Sequence, residues 1–335
     1  MIKKNYTFAE CIKVAAMCQI ENKNTVINNK VSELAIIICS IKPERCEETL
    51  KNIAETIGIG YQTIVFDNRE HQWGICKVYN HCAKNTTLPY LCFMHEDVLF
   101  GTNNWGKLMV DFMKITSKCG VIGFAGGLQA QRNLSGWWSG EKRINVVEGR
   151  TEKNTDCRKL DYKNHLYFNP DNEKISEVVC IDGLFHLVKR SIWEEKRFDD
   201  INFTGFHFYD VDFSLSVAQK YKNYVFLNID VFHDSQGDIN TEYVKNMWIF
   251  QHKWNGILPY HLKSKSKFQL LRSELRETVS INAYCKKLSI KQIEYFKHLC
   301  KINSVGFILL AGCYLVYKRL LEKTINIRTK INAKA

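Results

Sequence analysis

The stretch Leu34-Ala-Ile-Ile-Ile-Cys39 opens the pattern that decides the fold of this 335-residue chain. It is a short, continuous apolar run rich in β-branched residues, which is typical of a strand that is buried on both faces. Apolar residues at helical spacing follow Pro43, and Gly58 and Gly60 end that helix before a second apolar run at residues 61–66. The sequence therefore predicts a strand–helix–strand unit.

The same alternation continues along the chain. The spacing predicts a helix over residues 74–83, a strand at 90–94, a helix at 105–112 and a strand at 121–125. Strands that alternate with helices of this length favour an α/β fold, with a mostly parallel sheet covered by helices on both faces.

The periodicity changes in the second half. Residues 126–174 are rich in Gly, Asn, Lys and Asp, which predicts a long functional loop. Apolar runs then predict strands at 178–181 and 184–188, a helix near 211–218 and a last strand at 224–229. Beyond Asn240 the chain is predicted to be helical and basic to its end.

Composition limits the function classes. The formal net charge of +12 suits nucleic acid, an anionic membrane surface or an anionic substrate, and it does not choose among them. Glu10, Lys13 and Gln19 interrupt any apolar signal-peptide core, so we expect a cytoplasmic protein. The thirteen cysteines are odd in number, lie in apolar runs and form no Cys-x-x-Cys pair, which favours reduced, buried thiols.

Acidic side chains follow several of the predicted strands. In open parallel sheets ligands bind beyond the carboxyl ends of the strands, so these positions are candidates for a site. Carboxylates with an imidazole suit Mn²⁺ or Mg²⁺ holding a diphosphate. A single Asp there could equally cap a helix, but the recurrence favours a site. The candidates are Asp67, Glu96, Asp97, Asp210, Asp212 and His233.

The order of motifs resembles that of family 2 glycosyltransferases. Ile64-Val-Phe-Asp67-Asn, Tyr79-Asn-His-Cys-Ala83 and Phe93-Met-His95-Glu-Asp97-Val are similar to the nucleotide-binding half of that family. Asp182-Gly-Leu-Phe and Phe208-Tyr-Asp210-Val-Asp212 are similar to its acceptor half. The resemblance covers residues 34–237 and implies the GT-A fold. It points to a bacterial family-2-like group with a His-Glu-Asp-Val variant of the Asp-x-Asp motif.

The resemblance also implies roles for individual residues. Asp210 would be the catalytic base, Asp97 and His233 would bind the metal ion, and Asp67 would contact the nucleotide base. The full set of implied donor contacts is Ser40, Asp67, His95, Glu96 and Asp97. The predicted acceptor contacts are Trp137, Trp138, Asp182, Gly183 and Asp212.

Some of these positions leave room for other interpretations. Trp137 and Trp138 could stack on a sugar ring or simply pack in the interior. Two positions depart from the common family pattern. His95 stands where many members carry the first Asp of the Asp-x-Asp motif, and Tyr209 stands where an acidic residue often precedes the base.

The predicted activity is transfer of a sugar from a nucleotide-sugar donor to an acceptor hydroxyl. One base and one metal ion suffice for a single inverting displacement. The expected acceptor is a glycan or a lipid-linked saccharide, in bacterial surface polysaccharide or glycan synthesis. A nucleotidyltransferase is one alternative, but Ser40-Ile-Lys-Pro43 lacks the glycines of its usual phosphate loop. A basic nucleic-acid-binding protein is another, but no recognition module is visible, so no nucleic acid is expected.

The predicted domains are an N-terminal extension (1–30), a catalytic domain (31–240) and a basic helical C-terminal region (241–335). The catalytic domain divides into a nucleotide-sugar half (31–125) and an acceptor half (126–240). Residues 302–317 are apolar, yet a helix of that length spans only about 24 Å, short of the roughly 30 Å hydrocarbon core. This segment predicts a helix at an anionic membrane surface or at a partner, with a buried core helix as the alternative. A peripheral position at the inner face of the cytoplasmic membrane would follow.

Overall fold

The computed structural model describes residues 20–25, 32–149, 164–234, 237 and 239–332. The chain forms two compact units. The first comprises Met1–Gly126 and Arg143–Gln236, and the second Gly127–Lys142 and Gly237–Ala335. The second unit therefore takes residues 127–142 out of the stretch that the sequence assigns to the acceptor half.

The elements are numbered in chain order. The strands are β1 (Ile20–Thr25), β2 (Leu34–Ser40), β3 (Tyr61–Asp67), β4 (Tyr90–Met94), β5 (Val98–Phe100), β6 (Cys119–Gly123), β7 (Ala125–Gly127), β8 (Gln129–Ala130), β9 (Lys142–Glu148), β10 (His165–Phe168), β11 (Ile175–Val178), β12 (Cys180–Ile181), β13 (Phe185–Lys189), β14 (Lys222–Phe226), β15 (Val231–His233) and β16 (Tyr260–His261). The helices are α1 (Pro43–Thr56), α2 (Ile75–Lys84), α3 (Trp105–Ile115), α4 (Arg190–Lys196), α5 (Tyr209–Ala218), α6 (Thr241–Lys253), α7 (Lys267–Lys287), α8 (Gln292–Ile302) and α9 (Val305–Asn332).

The main sheet of the first unit has the strand order β1-β3-β2-β4-β13-β6-β14-β11. Its central strands β3, β2 and β4 are parallel, as the sequence predicts. β13 runs antiparallel between β4 and β6, so the sheet as a whole is mixed. Residues 34–38 of β2 are completely buried, which confirms a strand covered on both faces. The α/β fold class is confirmed.

A smaller sheet in the same unit fixes the position of His233, the last residue of β15. β15 pairs antiparallel with β5 and parallel with β9, and β10 pairs with the other edge of β9. The register places His233 opposite Val98. Residues that are remote in sequence therefore meet directly after β4.

The prediction of a long loop over residues 126–174 is wrong in part, because β8, β9 and β10 lie within it. The sequence does not predict β9, because polar residues interrupt its apolar pattern. Asn145 is buried and its amide donates to the carbonyl oxygens of Leu227 and Ile229, and buried Arg143 pairs with Asp171. These polar side chains have partners inside the unit, so a buried strand tolerates them.

The predicted last strand at 224–229 is also corrected. β14 ends at Phe226, and His233 belongs to the separate strand β15. The carbonyl oxygens of Leu227 and Ile229 accept from the Asn145 side chain rather than from a neighbouring strand. Hydrogen bonds from a buried amide side chain thus take the place of strand-to-strand hydrogen bonds at these two residues, and the chain can bend here.

Residues 1–30 are not simply an extension, because Ile20–Thr25 pairs antiparallel with β3 along its whole length. The sequence does not predict this strand, because its residues are polar and an edge strand needs no apolar run. The rest of that segment lies outside the described residues. The expected free thiols are found among the described cysteines, most of which are buried.

The second unit consists mainly of helices, as the sequence predicts for its C-terminal part. A buried polar network joins residues 127–142 to these helices. Arg132 donates to Glu274 and to Asn255, and the Gln251 side chain bonds both Ser135 and His298. The network accounts for the placement of a polar segment in this unit.

The apolar segment 302–317 falls on the end of α8 and the first half of α9. Several of its apolar side chains are exposed, including Val305 at 77% and Leu309 at 67%. Within the described parts of the chain, no helix is both long enough and apolar enough to cross a membrane.

Candidate active site

Three potential metal ligands converge where β4 ends. His95 and Asp97 lie between β4 and β5, and His233 ends β15, which pairs with β5. The amide of Asp234 donates to the carbonyl oxygen of Asp97 and closes the arrangement. The convergence thus follows from the register of β15 against β5.

The ligand atoms of this cluster are close together. His95 Nδ1 lies 3.2 Å from His233 Nε2, and His233 Nε2 lies 3.5 Å from Asp97 Oδ1. One ligand atom from each residue falls within 4.8 Å of the others. Two ligand atoms that each bind one ion at about 2.1 Å are at most about 4.2 Å apart, so both separations are compatible with a shared divalent ion.

Burial favours the neutral form of both imidazoles. It lowers the pKa of His95, and the neighbouring His233 lowers it further. Burial likewise lowers the pKa of His233, although Asp97 acts in the opposite direction. Neutral imidazoles have a lone pair for a metal ion, so the donor set of two imidazoles and one carboxylate fits a divalent cation.

Tyr209 connects this cluster to the loop after β12. Its hydroxyl lies 2.7 Å from His95 Nε2 and donates to the carbonyl oxygen of Gly183 at 2.9 Å. A Cβ atom at position 183 would lie 2.1 Å from the Tyr209 hydroxyl, so only glycine allows this approach. The sequence indicated Gly183 but gave no sign that it faces Tyr209.

The predicted base Asp210 follows Tyr209 in the first turn of α5. Its Oδ2 accepts a hydrogen bond from the amide of Gly183 at 3.1 Å. Burial raises the pKa of Asp210 from 3.8 to about 7, and the charge of Asp182 adds to this rise. A carboxyl group that titrates near neutrality is a stronger base than an ordinary Asp and is still largely ionised at slightly alkaline pH.

Asp182 belongs to the same group of carboxylates. Its Oδ1 accepts from the amide of Leu184 at 2.8 Å, and its charge acts on Asp210. Burial raises the pKa of Glu148 at the end of β9, and Asp182 adds to that rise. Sequence reasoning missed Glu148 because it placed this residue in a loop.

Arg45 is a second residue that the sequence did not indicate. Its guanidinium lies 3.3 Å from Asp97 Oδ2 and 3.0 Å from Asp234 Oδ2. It stands in the first turn of α1 and balances carboxylates beside the cluster of potential metal ligands. The only sign of this role in the sequence is a basic residue two positions after Pro43.

Ser40 and Glu96, both predicted donor contacts, lie together and bind each other. Glu96 Oε2 accepts from Ser40 Oγ at 2.6 Å and from the amides of Ile41 and Lys42 at 3.1 and 2.9 Å. Glu96 is buried, and its carboxylate holds the turn between β2 and α1. Within this arrangement its oxygen already has three donors.

Asp67, predicted to contact the nucleotide base, ends β3 and is partly exposed. The Arg69 side chain donates to its carboxylate and lowers the pKa of Asp67. Asp67 is thus ionised at neutral pH. Among the described residues, no hydrogen bond or ion pair joins Asp67 to the cluster of His95, Asp97 and His233.

The remaining acceptor candidates belong to different units. Asp212 is almost fully buried in α5. Trp137 and Trp138 belong to the second unit, where Trp138 Nε1 donates to the Tyr243 hydroxyl at 3.2 Å. Their assignment to the acceptor stays a prediction.

Known proteins provide an independent comparison. The model of a family described as "Glycosyltransferase like family" matches residues 35–268. The first 349 residues of TarS from S. aureus are 12% identical, with 83% of this chain and 80% of that chain covered and a TM-score of 0.49. The mannosyltransferase PcManGT from Pyrobaculum calidifontis, in complex with GDP-Man and Mn²⁺, is 11% identical, with 90% and 83% covered and a TM-score of 0.40. Comparison with curated proteins gives no match.

These structural likenesses are too distant to indicate an activity. The family assignment depends instead on the family match, which begins within β2 and ends at the start of α7. The matched range contains every predicted site residue. Because the match spans well over half of the 335 residues, the chain belongs to the glycosyltransferase like family.

Proposed function

We propose that this enzyme transfers a sugar from a nucleotide-sugar donor to an acceptor hydroxyl with inversion at the anomeric carbon, and that Asp210 is the base. The observation that carries the proposal is a carboxyl group with a pKa of about 7, one residue from the tyrosine that contacts the His95, Asp97 and His233 cluster. The proposed base and the proposed cation site thus lie in the same unit.

Asp210 would remove the proton from the acceptor hydroxyl as its oxygen attacks the anomeric carbon. The bond from that carbon to the diphosphate oxygen breaks in the same displacement, and the nucleoside diphosphate leaves. The Gly183 amide holds Oδ2 of Asp210, which keeps the carboxylate oriented during proton transfer. A single displacement of this kind inverts the anomeric configuration.

Asp97 and His233 would hold a divalent ion, either Mn²⁺ or Mg²⁺. When bound, such an ion neutralises the negative charge that develops on the leaving diphosphate. Arg45, beside Asp97, supplies a further positive charge at this place. Asp67 would orient the nucleotide base, so Asp67→Ala should weaken donor affinity more than turnover of bound donor. An unchanged donor affinity in calorimetry would argue against that role.

Asp210→Asn tests the base directly. Asn keeps the size of the side chain and can accept from the Gly183 amide, but it cannot take a proton. We expect the transfer rate to fall by about two to four decades while donor and metal ion still bind. Near-normal turnover in a folded variant would overturn the mechanism. Proton NMR of the first product formed would show whether the configuration is inverted.

A screen of nucleotide sugars by thermal shift, with and without Mn²⁺, would identify the donor. We propose a glycan or a lipid-linked saccharide as acceptor, in bacterial surface polysaccharide or glycan synthesis, with Trp137 and Trp138 stacking on its sugar rings. Trp137→Ala should then raise KM for the acceptor and leave donor affinity unchanged. An equal effect on both substrates would count against stacking.

We also propose that α9 binds an anionic membrane surface, which would place the enzyme beside a lipid-linked acceptor. Exposed apolar residues (Leu309, Val316 and Tyr317) occur on this helix together with Lys318. Apolar area and positive charge together favour a surface with anionic lipid.

Co-sedimentation with phosphatidylglycerol vesicles at low salt would test this surface. A Leu309→Glu and Val316→Glu double variant should lose binding, whereas Ile115→Glu, at a still more exposed apolar position in α3, should retain it. Equal sedimentation of all three proteins, or no binding by the wild type, would contradict membrane association.

A further inference from the structure

The two departures from the common family pattern contact each other. His95 Nε2 and the Tyr209 hydroxyl lie 2.7 Å apart although 114 residues separate them in the chain. One departure lies in the metal cluster and the other immediately precedes the predicted base. The contact therefore joins the two functional parts of the site.

The hydrogen bonds around Tyr209 determine which nitrogen of His95 is protonated. The hydroxyl has one hydrogen, and it donates this hydrogen to the carbonyl oxygen of Gly183, which can only accept. The hydroxyl oxygen must therefore accept from His95 Nε2–H. His95 Nδ1 is left with its lone pair, and Nδ1 is the atom 3.2 Å from His233 Nε2.

Packing fixes the position of the Tyr209 hydroxyl. The residue is buried, and its ring packs against the rings of Tyr79 and Phe198, with centroids 6.0 and 6.3 Å away. Gly183 lies so close that a Cβ atom would collide with the hydroxyl. A partner held in this way fixes both the tautomer and the orientation of a histidine ligand.

We propose that Tyr209 is a positioning residue that directs His95 Nδ1 at the metal ion, so that His95 is a third ligand beside Asp97 and His233. The inference rests on the proposed function in taking a divalent ion to bind at this cluster. Two imidazoles and one carboxylate form a donor set that suits first-row transition ions better than Mg²⁺. The site should therefore prefer Mn²⁺ to Mg²⁺.

Direct binding of Mn²⁺ to the full chain, without donor, tests the proposal independently of activity. The electron paramagnetic resonance signal of free Mn²⁺ would give the affinity, and competition with Mg²⁺ the selectivity. We expect Tyr209→Phe to weaken Mn²⁺ binding by roughly 10-fold to 100-fold. Tyr79→Phe is the matched control, because it removes another buried hydroxyl, one that donates to the carbonyl oxygen of Met94. It should leave the affinity within about 2-fold of the wild type.

A second variant covers the case in which Tyr209→Phe does not fold. His95→Asp restores the carboxylate of the common motif and should lower the ratio of Mn²⁺ to Mg²⁺ affinity. Equal Mn²⁺ affinity in Tyr209→Phe and Tyr79→Phe, or an unchanged ratio in His95→Asp, would overturn the proposal. Absence of sugar transfer by a wild type that still selects Mn²⁺ would contradict the proposed function and leave the role of Tyr209 supported.

Discussion

Asp210→Asn should stabilise the first unit even though it removes the proposed base. Since one pKa unit corresponds to about 1.4 kcal/mol, a rise from 3.8 to about 7 implies that ionised Asp210 costs the fold about 4 kcal/mol. The residue is partly exposed, so solvent reduces this figure, and we expect a gain of roughly 2 to 4 kcal/mol at pH 8. Asn carries no charge and avoids the cost.

The pH dependence distinguishes this cause from a change in packing. The folded-state pKa lies above the unfolded value, so the wild type loses stability as the pH rises from about 4 to about 7 and loses no more above that. The advantage of the Asn variant should therefore be smaller at pH 5, at about 40% of its pH 8 value for the full shift.

Urea denaturation at pH 8 and pH 5, with a chelator present, would measure both values. Asp111→Asn is a control, because Asp111 forms an exposed pair with Lys107 on α3 and its replacement should give only a small change. The reasoning fails if Asp210→Asn is no more stable than the wild type at pH 8, or if its advantage is the same at pH 5.

Three other predictions follow from neighbouring contacts. Asp182→Asn should move the rise of kcat/KM to lower pH than in the wild type, because the charge of Asp182 helps to raise the pKa of Asp210; an unmoved profile would exclude this coupling. Glu96→Ala should lower the free energy of unfolding by about 2 to 4 kcal/mol in urea, because three donors to Glu96 Oε2 lose their acceptor. Arg45→Met should tighten Mn²⁺ binding in the absence of donor, because the guanidinium no longer competes for Asp97; calorimetry showing weaker binding would contradict this.

The repeating part of the fold could be predicted because burial imposes regular patterns. β2, β3 and β4 are apolar runs, and α1 and α2 show helical spacing between them. β9 and β1 could not be found in this way. β9 contains Arg143 and Asn145, whose partners are remote in sequence, and β1 is a polar edge strand. Pattern reasoning fails where buried polar groups depend on tertiary partners.

The same limit applies to the candidate site. Asp97, Asp210 and His233 could be found because polar residues follow strands at the sheet edge where ligands bind. Arg45 and Glu148 could not, since their significance depends on distance to another side chain. Glu96 has the expected residue type and position, yet its carboxylate binds the turn before α1, because its orientation depends on the backbone amides after β2.

The residue type at position 95 also bears on the proposed base, Asp210. Asp182 already raises the pKa of Asp210, and Tyr209 links His95 to the loop that carries both Asp182 and Gly183. A carboxylate at position 95, as in the common motif, would add another negative charge near this loop and raise the pKa of Asp210 further. A neutral imidazole would provide a metal ligand without that charge. We therefore propose that the departure at position 95 helps to keep the pKa of Asp210 close to 7, so that an appreciable fraction is ionised at neutral pH and could accept a proton from the acceptor.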